Sequence, residues 1–455
     1  MPHFFQRLVS KIFGHSLWQP ARGKVVHRPS ELSHSLESGK LPEVVEEVVI
    51  QTLGPRRPLI AADGAIAGFE FCIHGDVLQR LVQRADQRGW SAQVAAVLAS
   101  ARLTALSGRV GFVRLPINWL VHANGVEVCP GIWIGLDSAV GKSDLAGQMP
   151  EVLQTLQTLR ASGVQLGWDV SVMPDVCRDF VLLHQGRQPM GQLLRGISSW
   201  PHALQRLAVL VTDVACLEDL ETALEKGIQF ACGALAPMAG GQGQEVREFL
   251  PVPPEMHRVA MLLNQLVTGT ETATIVSSIK GDVGLSLRLL KRIHSASYAQ
   301  LKADADIEHA VMLLGRNELY RWLSILLVQF AGYHKASSAL QEITLWRARL
   351  LELLALECHE DTPGQFFTLG LASMLSVMLK INPKDVVTML NLPEQARQVL
   401  LEHTGPWADY LQILERVEQQ QLDAPAAPVS RWGGAGRVLT LSDEAWAWAS
   451  TQNKW

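Results

Sequence analysis

The stretch Arg57-Pro58-Leu59-Ile60-Ala61-Ala62-Asp63-Gly64-Ala65-Ile66-Ala67-Gly68-Phe69-Glu70-Phe71 decides the fold of the first half of the chain. Two apolar runs flank Asp63-Gly64, a dipeptide suited to the positive φ of a tight hairpin turn. Working outward, Val77–Val82 and Ala92–Leu106 carry helical periodicity, and Val110–Leu115 and Ile132–Leu136 carry strand signals. The helix Leu153–Ser162 closes on Gly163, and Glu218–Lys226 closes on Gly227. Val164–Val170, Leu207–Val211 and Phe230–Leu235 read as further strands. Strand–helix alternation over this length predicts a parallel sheet closed by crossover helices, an α/β, TIM-like barrel.

Past the barrel the chemistry changes. Gly240-Gly241-Gln242-Gly243 is a flexible joint, and Pro251-Val252-Pro253-Pro254 stiffens the entry to the next segment. Beyond it every segment predicts helix. Asp306 caps a helix bearing Ile307, Ala310, Val311 and Leu314 that Gly315 ends, and Asn382-Pro383 and Leu392-Pro393 start two more. The expected organisation is an amphipathic segment and linker over 1–47, a barrel over 48–238, a linker over 239–254, an all-helical domain over 255–421, and a linker with a Trp-rich docking tail over 422–455.

Composition narrows the function. The chain has 455 residues, 40 Lys+Arg against 44 Asp+Glu, and 48% hydrophobic residues, so it is globular and has no global attraction for nucleic acid. Six scattered cysteines without a C-x-x-C pair predict neither a disulfide framework nor a zinc ribbon, and a cytoplasmic setting. No apolar run approaches the roughly 20 residues of a membrane span. Residues 1–30 hold five Lys/Arg and no Asp/Glu, with Phe4, Phe5, Leu8, Ile12 and Phe13 at helical spacing. They predict either a surface-binding foot or a terminus that docks on its own domain. No G-x-x-x-x-G-K-[ST], H-E-x-x-H or dinucleotide fingerprint is present. Several of the thirteen tryptophans (Trp18, Trp200, Trp407, Trp432, Trp446, Trp448, Trp455) are expected in loops or termini, suited to interfaces or to packing.

Two resemblances add to this reading. Ile279-Lys280-Gly281-Asp282-Val283-Gly284-Leu285, succeeded by His294-Ser295-Ala296 and by Leu314-Gly315, resembles the signature of the HDOD domain over roughly residues 250–420. That domain is a relative of HD-type phosphohydrolases, which hold metals through a His-Asp pair. By the resemblance Ser373 and Met374 stand where that pair would be, and neither is a strong ligand for a hard cation.

The first half resembles the EAL domain, a barrel that hydrolyses cyclic di-GMP. Glu70 matches its metal-binding glutamate, Asp169 the first aspartate of D-D-F-G, and Leu159-Arg160-Ala161-Ser162-Gly163-Val164 its L-R-x-x-G-[IV] helix end. The departures fall on the other positions that the resemblance assigns to metal and ligand. Arg114 stands for an asparagine, Gly135 for a glutamate and Val170 for the second aspartate. Thr212 and Ala215 stand for two glutamates, Cys232 for a glutamine and His74 for a phosphate-binding arginine.

The resemblance therefore implies an EAL–HDOD signalling protein with no catalytic residues, no metal and no cofactor. Too few carboxylates are expected at the barrel mouth to cage two cations. Its expected role is a bacterial scaffold in motility, biofilm or two-component signalling, touching a sensor kinase, response regulator or motility component; a homodimer is compatible with this. The alternatives are a divergent phosphodiesterase acting through Glu70, Asp169 and Asp213, or a cyclic di-GMP receptor without turnover.

Overall fold

The computed structural model describes residues 54–73, 75–84, 86–141, 145–169, 171–173, 176–233, 235, 252–293, 306–330, 334–422 and 428–452. His74, Val170, His294, Ser295, Ala296, the segment 1–47 and the Gly240–Gly243 joint lie outside them.

Eight strands close into a barrel in chain order: β1 (Arg57–Ala61), β2 (Ile66–Cys72), β3 (Val110–Pro116), β4 (Ile132–Asp137), β5 (Gln165–Trp168), β6 (Phe180–His184), β7 (Ala208–Val214) and β8 (Phe230–Gly233). The Asp63-Gly64 turn forms as expected, with Gly64 at φ +79°, so β1 runs antiparallel to β2 and also to β8. All other pairs are parallel. Helices α1 (Gly75–Arg84), α2 (Gln87–Leu106), α3 (Leu145–Ala161), α4 (Met190–Arg195), α5 (His202–Gln205) and α6 (Leu217–Glu225) join the strands. Gly163 and Gly227 both take φ +83° at the helix ends they were expected to close. Strand β6 was not expected; its run Phe180-Val181-Leu182-Leu183 is the apolar signal that marks it.

Side chains alternate in and out along each strand. Leu59, Phe112, Phe180, Leu182, Leu210 and Cys232 fill the barrel interior. Two inward glycines make room for the rings. A Cβ on Gly135 would stand 3.0 Å from the Phe112 ring and from Leu182, and one on Gly167 would stand 2.4 Å from the Phe180 ring. Gly135 thus belongs to a packing solution in which Phe112 takes the volume of the missing side chain.

The second region is helical: α7 (Pro254–Val267), α8 (Thr272–Lys280), α9 (Val283–Ile293), α10 (Ile307–Gln329), α11 (Ser337–Glu357), α12 (Pro363–Leu379), α13 (Pro383–Met389), α14 (Glu394–Glu402), α15 (Ala408–Glu418) and α16 (Ala435–Gln452). Asp306 caps α10 by accepting from His309 N, and Gly315 (φ +67°, ψ 172°) breaks that helix where a stop was expected. Helix resumes at once on the far side, so the break is a kink. Helix α12 is apolar nearly all round and buried, and Gly370 lets it cross α11 closely: a Cβ there would lie 2.4 Å from Ala348 Cα. Among the described residues no helix is long and apolar enough to cross a membrane.

The two regions meet directly. Phe69, on the outer face of β2, packs against Trp446 of α16 at 4.9 Å and lies under the guanidinium of Arg56 at 4.5 Å. Trp446 stacks on Trp346 of α11 at 4.8 Å. Around this aromatic centre Arg56 pairs with Asp443 at 3.2 Å, and Arg109 with Glu342 at 2.8 Å. At the hairpin tip Ala339 N donates to Gly64 O at 2.9 Å. Glu221 of α6 accepts from the amides of Lys335 and Ala336, ahead of α11. Trp446 and Trp448 therefore dock on their own molecule, and both Trp446 and Trp432 are core residues, while Trp18 and Trp455 lie outside the described residues.

Candidate functional site at the barrel mouth

The inward residues at the C-terminal ends of the parallel strands form one charged cluster. Glu70 on β2 is fully buried. Arg57 lies opposite it in the β1–β2 register and donates from Nε to Glu70 Oε2 at 2.8 Å. Arg114 on β3 contacts Glu70 Oε1 at 3.4 Å, Asp213 Oδ2 at 2.7 Å and Asp137 Oδ2 at 3.5 Å. Arg57 also reaches Asp213, at 3.3 Å. His184, ending β6, completes the ring: Nε2 lies 2.8 Å from Asp137, and Nδ1 lies 2.6 Å from Thr212 Oγ and 3.8 Å from Asp213.

Asp213 reaches this ring because β7 bulges. The register shifts between Val211 and Val214, and Asp213 takes φ +57°, a left-handed conformation that aspartate tolerates better than most residues. Three carboxylates thus converge beside Glu70's strand, more than the sequence led us to expect. They converge on two guanidiniums and an imidazole, not on a void. Among the described residues no group of three or more His, Cys, Asp or Glu side chains is arranged to hold a metal ion.

The electrostatics reflect that packing. Burial opposes charge on Arg57 and Arg114, but Glu70 foremost, together with the other acidic groups at the mouth, outweighs it and raises both above the ordinary arginine value. Burial would raise the Asp213 carboxyl; His184, Arg114 and Arg57 hold it well below the usual range instead. Burial would lower His184, and hydrogen bonds to Asp137 and Asp213 lift it to about 9. With His184 protonated, three anions face three cations. Neither a free carboxylate set nor a free arginine pair is left over.

The other expected positions scatter. Asp169 turns to its own loop, accepting from Ser171 N at 2.9 Å and Oγ at 2.5 Å. Ala215 is exposed, and its amide donates to Gln185. Cys232 is buried below the ring, where burial and then Glu70 push its thiol well up. Cys72 ends β2 at the mouth, and burial together with Glu70 raises it to about 11. Arg57, Asp137 and His184 were not singled out as site residues. Their signal is positional: each is a charged or titratable residue on the inward-facing alternation of an otherwise apolar strand.

One side chain at this mouth comes from the helical region. Gln420, just past α15, is 4% exposed and holds φ +59°, which costs a non-glycine residue roughly 1–2 kcal/mol. Its amide accepts from Cys72 Sγ and donates to Glu70 O at 3.1 Å and Pro55 O at 3.3 Å.

In the helical region, Ser373 lies within buried α12 and its hydroxyl donates to Gly370 O at 2.6 Å. It accepts from Arg347 Nε at 3.0 Å, while Arg347 Nη1 holds both oxygens of Glu418 at 2.7 and 2.8 Å. Met374 is a buried core residue. Asp282 caps α9 through Leu285 N at 3.1 Å and ties it to Arg258 of α7 at 3.0 Å. Leu314 is buried beside the Gly315 kink.

Over 165 residues the chain is 29% identical to the uncharacterized protein YuxH of Bacillus subtilis, covering 36% of this chain and 40% of that protein. Over 171 residues it is 26% identical to the cyclic di-GMP phosphodiesterase CdgJ of Vibrio cholerae, covering 37% and 39%. The chain spans about two-fifths of the length of either relative. Among solved structures it is similar to an EAL domain protein from Listeria monocytogenes, at 15% identity and a TM-score of 0.30, covering 40% of this chain and 85% of that one. The HDOD family model matches residues 250–404, so that part of the helical region, which by sequence resembles an HDOD domain, is one.

Proposed function

We propose that this chain is a non-catalytic signalling scaffold of the EAL–HDOD type, with a degenerate EAL barrel over 48–238 and the HDOD domain over 255–421. Its surfaces would engage other signalling proteins, such as a sensor kinase, response regulator or motility component. The observation that carries this is the position of Arg114, whose guanidinium stands among Glu70, Asp137 and Asp213.

Two-metal phosphodiester hydrolysis needs carboxylates with lone pairs free for cations about 3.5–4 Å apart. A fixed positive charge among the same oxygens competes for those lone pairs and repels a dication. Gly135 offers no ligand, and Asp169 is committed to Ser171. In the HDOD domain Arg347 bonds Ser373, one of the two positions (with Met374) that the resemblance matches to the HD pair, and so puts a cation there too.

The test is incubation of the pure chain with cyclic di-GMP and Mn²⁺ or Mg²⁺. The expected result is no turnover above background. The competing reading, a divergent phosphodiesterase, is favoured by the convergence of three carboxylates and by the activity named for CdgJ. It requires Arg114 to leave the ring, and it would be established by turnover that Glu70→Ala abolishes. Heat of cyclic di-GMP binding without hydrolysis, lost in Arg114→Ala, would instead make the barrel a receptor.

A further inference from the structure

The β1–β2 hairpin is pinned by the HDOD side at both of its ends. At its tip, Ala339 N bonds Gly64 O, and Gly64 approaches so closely that a Cβ there would lie 1.8 Å from Lys335 O. At the mouth end, Gln420 holds Cys72 Sγ, Glu70 O and Pro55 O together, so a single side chain bridges the entry to β1 and the end of β2. Gln420 is set by the residues before it. Glu418, two residues earlier, is clamped by Arg347, which is 3% exposed and reaches Ser373 deep in α12. Bonded contacts therefore run from Ser373 through Arg347 and Glu418, along two residues of chain, through Gln420 to the backbone of Glu70 and so to the charged ring.

We propose that the Glu418–Gln420 corner is a latch that couples the interior of the HDOD domain to the mouth of the barrel. Releasing Arg347 inside the helical region loosens β1 and β2 at the mouth, through Gln420, while the far side of the barrel stays closed. A discrete packed route with one bridging side chain is the physical form such coupling takes, and its proof is an energetic one. The inference goes beyond the proposed function and stands whether or not the barrel turns over cyclic di-GMP.

Amide hydrogen exchange on the full chain tests it. Gln420→Gly removes the bridging amide and relieves the left-handed backbone; Arg347→Met cuts the route one step earlier. Each is expected to speed exchange in Arg57–Ala61 and Ile66–Cys72 by roughly fivefold, the effect of about one net hydrogen bond, with Gln165–Trp168 and Phe180–His184 unchanged. The double variant should be no faster than the quicker single one, because both cut one route. Unmoved β1–β2 amides in Gln420→Gly, an effect of Arg347→Met spread evenly over all strands, or additive rates in the double variant would each overturn the proposal. If Arg347→Met does not fold, Ser373→Ala removes an acceptor of Arg347 without stranding a charge and is judged by the same criteria.

Discussion

The barrel mouth and the middle of the HDOD domain each hold a buried arginine among oxygen acceptors, and they hold it differently. Arg114 sits in a ring built from β1, β2, β3, β4, β6 and β7, where every charge has at least two partners of opposite sign or a second donor. Among the described residues Arg347 has one carboxylate, Glu418, and one hydroxyl, Ser373, on two other helical segments. A ring drawn from six strands shares its charges, so removing one member leaves the others partly compensated. An isolated pair has no such reserve. Reach also differs: the ring's outer members Asp137, His184 and Asp213 are 29%, 35% and 38% exposed, whereas Arg347 is 3% exposed.

That difference predicts the largest effect in the helical pair. Glu418→Gln leaves the Arg347 charge buried with only neutral partners, and should cost about 3–5 kcal/mol in urea unfolding. Arg347→Met should cost clearly less. Burial already pushes the Glu418 carboxyl up against the pull of Arg347, so the stranded acid can take a proton and become neutral. Equal costs for the two substitutions would show that Arg347 is held by packing rather than by its charge partner.

In the ring the same operation should be milder. Arg114→Met removes one cation, but Glu70 keeps Arg57, and Asp213 keeps Arg57 and His184. A loss of about 1–3 kcal/mol is expected, in the range of a buried group left short of one charged hydrogen bond. A loss matching that of Glu418→Gln would break the contrast between shared and isolated charge.

A smaller effect separates packing from electrostatics at the mouth. Gly135→Ala places a methyl 3.0 Å from the Phe112 ring and Leu182, and overpacking of that size costs about 1 kcal/mol or somewhat more. The charged ring should be unaffected, so the His184 titration measured by NMR should not move. A shifted His184 would mean that the aromatic layer sets the ring's geometry.

Much of this architecture was legible in the chain. The Asp63-Gly64 turn, the glycine stops at 163 and 227, the Asp306 cap and the Gly315 break all stem from local backbone preferences, which act over a few residues and leave a local mark. Glu70 was legible as a candidate site residue through the resemblance. The ring was not, because its members lie on six strands and only barrel closure brings Arg57, Asp137 and His184 together. Asp213 depended further on a bulge, which a one-residue register shift creates without any composition signal. Gln420 was invisible for a related reason: it is a polar residue after a helix, and its partners lie about 350 residues away in sequence. The Trp446 tail was legible as a docking element, but the sequence did not say that its partner is Phe69 of the same chain.

The finest test of the shared ring is its pH dependence. His184 is raised from 6.5 to about 9 by Asp137 on β4 and Asp213 on β7 against burial, with Arg114 on β3 opposing it and Thr212 on β7 as its neutral partner. A histidine whose folded value exceeds its unfolded one stabilises fully below the unfolded value and loses that contribution as pH rises through the folded one. Comparing the wild-type chain with His184→Gln should therefore give the largest stability difference at pH 6 and below, shrinking between about 6.5 and 9 and vanishing above. Its size should stay under about 1 kcal/mol, since the imidazole is a third exposed and solvent screens it. The window is clean within the ring. Asp213 is held in the acid range and stays ionised throughout, and Cys72, pushed up to about 11, titrates beyond it. A difference that is flat from pH 6 to 10 would mean that His184 serves the ring as a neutral hydrogen-bonding group; the three anions would then face only Arg57 and Arg114, and the ring would carry a net negative charge.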